Sequence, residues 1–229
     1  MKFKLLTLVA IAFVMLLGVA STSNAGDGKF VFGGYFDVEY LYPQQSGKHS
    51  SFDMHHFNPI FLFQMQDNLL VSAELEFEHG GAEIVVEYAQ IDYLWNDYIT
   101  LTGGKFLVPF GAYNRRLHPT WIVKTPGRPY SNNQVVPTGW SETGLMASGA
   151  VGFGVNGGRV NYAAYVTNGL EGDIGGSMRS LRKGDHREKK NNNKAIGGRL
   201  GIVPVAGVEF GGSVYSVKYD TDATMDLQM

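Results

Sequence analysis

Alternating polarity is the feature that most constrains how this chain folds. From Leu69 to Glu78, apolar residues occupy every second position, and Ser72 and three glutamates lie between them. This period of two is that of a β-strand, whose successive side chains point to opposite faces. A water-soluble sheet buries its apolar face in a core, whereas a membrane barrel turns that face to lipid and its polar face to a water-filled lumen.

The same alternation predicts nine strands and no long helix. Their approximate bounds are 30–42, 52–66, 69–79, 82–95, 98–108, 142–155, 158–168, 195–204 and 207–219. Within 82–95 the parity of the polar residues changes between Glu87 and Gln90. One extra residue near Tyr88 restores the alternation, so we predict a β-bulge there.

The links between these strands are short and long in turn. Tight turns are predicted at Asp67-Asn68, Asn96-Asp97, Asn156-Gly157 and Val205-Ala206. The links between those turns are 43–51, 80–81, 109–141 and 169–194, and only 80–81 is not long. Outer-membrane barrels have short periplasmic turns and longer external loops. Residues 26–229 are therefore predicted to be all-β and to form a transmembrane antiparallel up-and-down β-barrel.

Residues 1–25 have the composition of a cleaved signal peptide. Lys2 and Lys4 precede an apolar run from Leu5 to Val19, and Ala25 ends a stretch of small residues. An N-terminal membrane anchor is the alternative, but the run is shorter than the ~20 residues of a full span. We expect export to the cell outer membrane, with the lipid bilayer as a partner.

Composition excludes several classes of function. Without the leader, 17 basic residues face 21 acidic ones, which is not the charge of a nucleic-acid-binding domain. The chain has no cysteine, hence no disulfide framework and no thiolate metal site. No nucleophile elbow, phosphate-binding loop, zinc-protease motif or EF-hand loop is present, so we predict neither an enzyme nor a cofactor. Adjacent residues of a regular strand face opposite sides, so His55 and His56 are not expected to share a metal ion.

Nine strands is an odd number, and bacterial barrels of one chain have an even number. Residues 220–229 resemble the start of another external loop more than a terminal amphipathic strand. We therefore expect the chain to be the N-terminal part of a longer barrel. The alternative is a complete eight-stranded barrel with a tail.

The link 109–141 is predicted to fold into the lumen as a constriction loop. It is basic and aromatic, and no acidic residue lies between Lys105 and Glu142. A long ordered loop in a compact fold is usually functional. The candidate constriction residues are Arg115, Arg116, His118, Lys124 and Arg128. The alternative is a solvated loop with no role in conduction.

An acidic wall is predicted to face this loop. Its residues share the polar parity of three strands and are Asp37, Glu39, Glu74, Glu76, Glu78, Glu83 and Glu87. A basic loop opposite an acidic wall would create a transverse field that orients polar solutes and disfavours apolar ones.

The link 169–194 is also basic and is predicted to be a mobile external loop. Its cations are suited to lipopolysaccharide phosphates, but a simple solvated surface loop is the favoured interpretation.

The segment Gly104-Lys105-Phe106-Leu107-Val108-Pro109-Phe110-Gly111 resembles a strand end found in the phosphate-selective porins O and P and related barrels. It lies just before the long loop, as in that family. The resemblance implies a 16- to 18-stranded outer-membrane channel that assembles as a homotrimer. It also implies anion uptake through Arg115, Arg116, Lys124 and Arg128.

The sequence therefore favours a porin that conducts small hydrophilic or anionic solutes by passive diffusion. The alternative is a barrel without a channel, with a structural or adhesive role. A barrel enzyme is disfavoured because nothing holds His118 and Ser141 together as a catalytic pair.

Overall fold

The computed structural model describes residues 9–13, 28–42, 49–117, 119, 122, 130–137, 139–155, 157–172, 178–182, 192–220 and 222–229. The predicted all-β class is confirmed. Eleven strands form one sheet in which each strand pairs with its neighbours in sequence. Every pairing is antiparallel.

Nine of the eleven strands correspond to the nine predicted from sequence. The strands are β1 (Val9–Phe13), β2 (Lys29–Leu41), β3 (Ser51–Gln66), β4 (Leu69–Glu78), β5 (Glu83–Leu94), β6 (Thr100–Leu107), β7 (Ser141–Phe153), β8 (Gly158–Thr167), β9 (Ala195–Val205), β10 (Val208–Lys218) and β11 (Asp226–Gln228). Two short helices, α1 (Tyr113–Arg116) and α2 (Ser131–Gln134), lie in the long link between β6 and β7. Single 3-10 turns cover His79–Gly81 and Met178–Leu181.

The structure has two short strands besides the nine predicted, β1 before residue 26 and β11 near the end of the chain. β1 lies inside the segment assigned to a signal peptide and pairs with β2, from Val9 opposite Tyr40 to Phe13 opposite Phe36. Without this pairing, that edge of β2 would present unpaired backbone groups. Signal-peptide cleavage stays a prediction, and cleavage after Ala25 removes β1.

Residues 220–229 were expected to begin a loop, but the structure places the short strand β11 among them. β11 pairs with the end of β10, with Ser216 opposite Gln228. The side chain of Asp220 closes the intervening turn, because it accepts hydrogen bonds from the backbone amides of Thr224 (2.8 Å) and Met225 (2.7 Å). Among the described strands, β1 and β11 each have one neighbour, so the described sheet is not closed.

The bulge predicted near Tyr88 is confirmed. Glu74 pairs with Tyr88, but the next residue, Leu75, pairs with Val86, which leaves Glu87 as the extra residue. The turn predicted at Val205-Ala206 lies one residue later, at Ala206-Gly207, because Gly207 takes the positive φ of 87° that the turn needs. Asn156 lies outside the described residues.

The two faces of the sheet differ sharply in polarity. One, here called the apolar face, exposes large hydrophobic side chains that include Phe32, Phe57, Ile91, Leu145, Leu200 and Val214. Leu145 is 65% exposed and Val214 is 67% exposed. The opposite face, here called the polar face, carries buried groups such as His56, Asn58, Glu74, Glu76, Thr102 and Glu142.

A small apolar core lies on the polar face beside the long links. Its largest members are Phe106, Trp140, Tyr165 and Tyr215. Leu170 and Leu181 bring the described parts of the link 169–194 into this core. These parts therefore pack against the sheet, in contrast to the mobile loop that the polarity of the link predicts. Among the described helices, none has the length and hydropathy to span a membrane.

Candidate functional site

The polar face holds two groups of charged side chains at different strands. The acidic wall lies on β2, β4 and β5, with histidines from β3 between its members. An arginine group lies over β8–β10 and includes two predicted loop residues.

A buried hydrogen-bond network forms the centre of the acidic wall. The amide of Asn58 donates to Glu74 Oε1 over 2.8 Å and to Tyr35 Oη over 2.9 Å. Tyr35 Oη donates to the same glutamate oxygen over 3.2 Å. Glu74 is only 2% exposed, and a buried carboxylate needs such donors to offset its lost hydration. The charge pattern of the sequence does not single out Asn58 and Tyr35, although both share the parity of the wall.

His55 and His56 approach the same carboxylate, contrary to the expectation for a regular strand. Asp37 pairs with His56, but Glu39 pairs with Asp53, so two residues of β3 oppose the single residue Val38. This bulge turns consecutive side chains toward one side. Nδ1 of His56 lies 2.8 Å from Asp37 Oδ1, and Nδ1 of His55 lies 3.2 Å from Asp37 Oδ2.

The remaining wall residues surround this pair or lie beside it. His56 Nε2 lies 3.5 Å from Glu78 and 3.7 Å from Glu76. His55 Nδ1 lies 3.3 Å from Glu39. Glu87 is buried in the bulge of β5, and Glu83 is exposed opposite Glu78. The structure thus places most of the predicted wall on one face, with histidines as its close cationic or neutral partners.

The arginine group combines two residues of the predicted constriction loop, Arg115 and Arg116, with Arg199 of β9. Arg116 of α1 and Arg199 of β9 both form ion pairs with Glu209 of β10. Arg115 joins Arg116 and Arg199 in lining a cleft of about 370 Å³ over β7 and β8. His118, Lys124 and Arg128 lie outside the described residues. Glu209 was not predicted, because its contact with Arg116 joins residues 93 positions apart.

The start of the constriction loop is fastened to the polar face of the sheet. The amide of Gly111 donates to Ser213 Oγ over 2.9 Å, and Arg199 Nε donates to the Gly111 carbonyl over 3.0 Å. The start of the loop therefore lies over the middle of β9 and β10 and does not extend away from the sheet.

Asn114 joins the two ends of the same loop. Its side-chain amide donates to the carbonyls of Val108 (2.9 Å) and Trp140 (2.7 Å), and its oxygen accepts from the Trp140 amide over 3.0 Å. Asn114 is buried, so these bonds are shielded from water. Nothing in the local sequence pattern marks Asn114 as the residue that closes the loop.

A second buried carboxylate, that of Glu142, joins the end of the loop to the sheet. Glu142 accepts hydrogen bonds from Trp140 Nε1 over 2.8 Å and from Tyr215 Oη over 2.9 Å. Thr167 donates to its other oxygen. Tyr215 also accepts from the Leu170 amide over 2.9 Å, which links this carboxylate to the second long link.

Comparison with known proteins adds one partial match. The chain is 31% identical over 150 residues to a protein of Aquifex aeolicus (strain VF5) that is described as uncharacterized. The match includes 62% of this chain and spans about a third (33%) of the relative. No family model matches the chain. No solved structure matches it.

Proposed function

We propose that this chain is part of an outer-membrane β-barrel porin, a water-filled channel for passive diffusion of small hydrophilic solutes. The observation that carries the proposal is the reversed polarity of the sheet. Large hydrophobic side chains are exposed on one face, while carboxylates and amides are buried on the other. A water-soluble sheet of this size would leave an unusually large apolar surface in contact with water.

A membrane barrel accounts for both faces. The exposed apolar side chains meet lipid, and the polar face lines the lumen. The neighbour-to-neighbour order of the strands is that of an up-and-down barrel, and most strands reach the ~9–11 residues that a tilted span requires. The ranges 26–229 for the barrel and 1–25 for a cleaved signal peptide are part of the proposal, as are 16–18 strands in total.

The position of the long loop supports a role in restricting the channel. Residues from Gly111 to Arg116 lie against the polar face, where they contact Ser213, Arg199 and Glu209. On this proposal Arg115 and Arg116 line the constriction. The ion pair of Arg116 with Glu209 offsets part of its charge, so Arg115 makes the larger contribution to anion attraction.

The same proposal specifies the partners of the barrel and its permeating solutes. The apolar face contacts the bilayer, external cations contact lipopolysaccharide, and the barrel assembles as a homotrimer. The resemblance to phosphate-selective porins and the loop arginines support anions among the permeating solutes. The acidic wall supports cations, so the net selectivity depends on which group borders the narrowest point.

Planar-bilayer recording tests the channel. Full-length protein refolded in detergent is expected to give stepwise conductance, and reversal potentials in a salt gradient report its ion selectivity. Charge reversal of Arg115→Glu with Arg116→Glu is expected to shift selectivity toward cations. The matched control is Lys29→Glu with Arg159→Glu, two basic residues at the tight-turn ends of β2 and β8.

Two outcomes would contradict the proposal. Folded protein without conductance steps would favour the barrel with a structural or adhesive role. Conductance with equal selectivity in the loop variant and in the control variant would remove the loop arginines from the constriction.

A further inference from the structure

We infer that Asp37, His55 and His56 form a binding site for a divalent transition-metal ion of the zinc class. The site lies on the polar face, where the end of β2 meets the bulge of β3. The inference does not depend on channel activity, because it concerns a local set of ligand atoms.

The three side chains have the spacing of a metal-ligand set. One ligand atom from each lies within 4.8 Å of the other two. Asp37 offers one oxygen 2.8 Å from His56 Nδ1 and the other oxygen 3.2 Å from His55 Nδ1. Ligands of a tetrahedral zinc ion at ~2.0–2.2 Å are separated by about 3.3 Å, so small side-chain shifts admit an ion.

The hydrogen-bonding needs of His56 support a cation at its Nδ1. Carboxylate oxygens approach both ring nitrogens, at 2.8 Å from Asp37 and 3.5 Å from Glu78. A neutral imidazole carries hydrogen on only one nitrogen, so the other nitrogen turns a lone pair toward a carboxylate. An added ring proton satisfies both sides, and so does a metal ion at Nδ1 with Nε2–H donated to Glu78. This carboxylate–histidine–metal arrangement is common around metal ligands.

His55 supplies a further argument. Its Nδ1 atom is buried and makes no hydrogen bond of good geometry, although oxygens of Asp37 and Glu39 lie 3.2 Å and 3.3 Å away. The rings of His55 and His56 lie with their centroids 3.8 Å apart. A metal ion between these nitrogens and the Asp37 carboxylate uses the lone pair of His55 and leaves Glu39 within reach as a fourth ligand.

The donor set selects the class of metal. Two imidazoles with carboxylates suit zinc, copper, nickel or iron, whereas calcium and magnesium prefer oxygen ligands throughout. His56 is only 1% exposed, so its own ring is shielded from water. The second trio, His56 with Glu76 and Glu78, shares His56 through Nε2 and serves here as the outer shell.

Zinc titration of the refolded full-length protein, after removal of bound metal with a chelator, tests the site. Isothermal titration calorimetry is expected to show one Zn²⁺ per chain. A hundredfold excess of Ca²⁺ is expected to leave that binding unchanged. His55→Gln, His56→Gln and Asp37→Asn should each weaken it at least tenfold, and Glu78→Gln about tenfold as an outer-shell change.

The matched control is His49→Gln, an exposed histidine before β3, which should bind Zn²⁺ as the unmodified chain does. The difference in gel mobility between heated and unheated samples reports whether each variant is folded. Should buried His56→Gln fail to fold, the test rests on His55→Gln, whose side chain is 28% exposed, and on Asp37→Asn. Folded protein without Zn²⁺ binding, variants that bind normally, or Ca²⁺ binding as tight as Zn²⁺ binding would each overturn the inference.

Discussion

At the residue scale, buried polar side chains organise the loops more than the strands do. Asn114 closes the loop between β6 and β7, and Glu142 gathers a tryptophan, a threonine and a tyrosine beneath it. The hydrogen bonds of each group offset the cost of its lost hydration only while all of its partners are present. Single substitutions at such positions should therefore change the loop without changing the sheet.

Asn114→Ala is expected to release the two ends of the constriction loop. The change leaves the buried Trp140 amide without its partner, which costs about 1–3 kcal/mol, and removes one of the two hydrogen bonds that the Val108 and Trp140 carbonyls each accept. Limited proteolysis should show faster cleavage between residues 110 and 140, with the barrel itself intact. Asn96→Ala is the control, because the Asn96 side chain accepts hydrogen bonds from the Tyr98 and Ile99 amides in a tight turn. Equal cleavage rates in both variants would contradict the role of Asn114.

Asp220 makes the turn before β11 sensitive to acid. A hydrogen bond from the Met225 amide, together with bonds from Thr224, holds the pKa of this carboxyl below its ordinary value. Ionised Asp220 therefore stabilises the turn fully above about pH 4, and the stabilisation is lost as pH falls through the lower folded-state pKa. NMR shifts of the Thr224 and Met225 amides should titrate with a midpoint below 3.9, the ordinary aspartate value. In Asp220→Asn this titration should vanish; its persistence would assign it to another group.

At the element scale, the strands were predictable because a period of two is local. β2–β10 follow the predicted ranges within a few residues, and the bulge at Glu87 was visible as a change of parity. The bulge at His55 was not visible, since it depends on how β3 pairs with Val38 of β2. The metal-site geometry was missed for the same reason. Contacts such as Arg116 with Glu209 depend on which strands lie beneath the loop, and a local pattern carries no such information.

Gly104→Ala is expected to disturb the pairing of β5 with β6. Gly104 has a φ of 122°, and an added Cβ would lie 2.4 Å from the Ala89 carbonyl oxygen. Strain of this kind costs about 1–3 kcal/mol, so the urea midpoint of unfolding in detergent should fall. Gly212→Ala is the control, because nothing lies within 4 Å of its added Cβ. The two variants unfolding at the same midpoint would be evidence against this backbone strain.

At the scale of the whole molecule, the polarity of the two faces of the sheet distinguishes a membrane protein from a water-soluble one. Buried polar side chains share one face, and most exposed large hydrophobic side chains share the other, with Val31 and Leu62 as exceptions on the polar face. Adjacent residues of any one strand therefore report on opposite environments. Introducing the same side chain at two adjacent positions of a strand therefore tests which face of the sheet meets lipid.

Ala73 and Ser72 form such a pair near the middle of β4. Ala73 lies on the apolar face opposite Phe61 and Ala89, and Ser72 lies on the polar face opposite Gln90. In lipid, Ala73→Arg is expected to lower the free energy of unfolding by about 2–4 kcal/mol, because the guanidinium then meets the bilayer interior. Ser72→Arg should change it by less than about 1 kcal/mol, since its side chain meets water and Glu74. Urea unfolding from lipid vesicles, followed by tryptophan fluorescence, measures both values. A larger loss for Ser72→Arg would mean that the polar face, and not the apolar face, lies against the low-dielectric medium, and the barrel proposal would then have its two surfaces reversed.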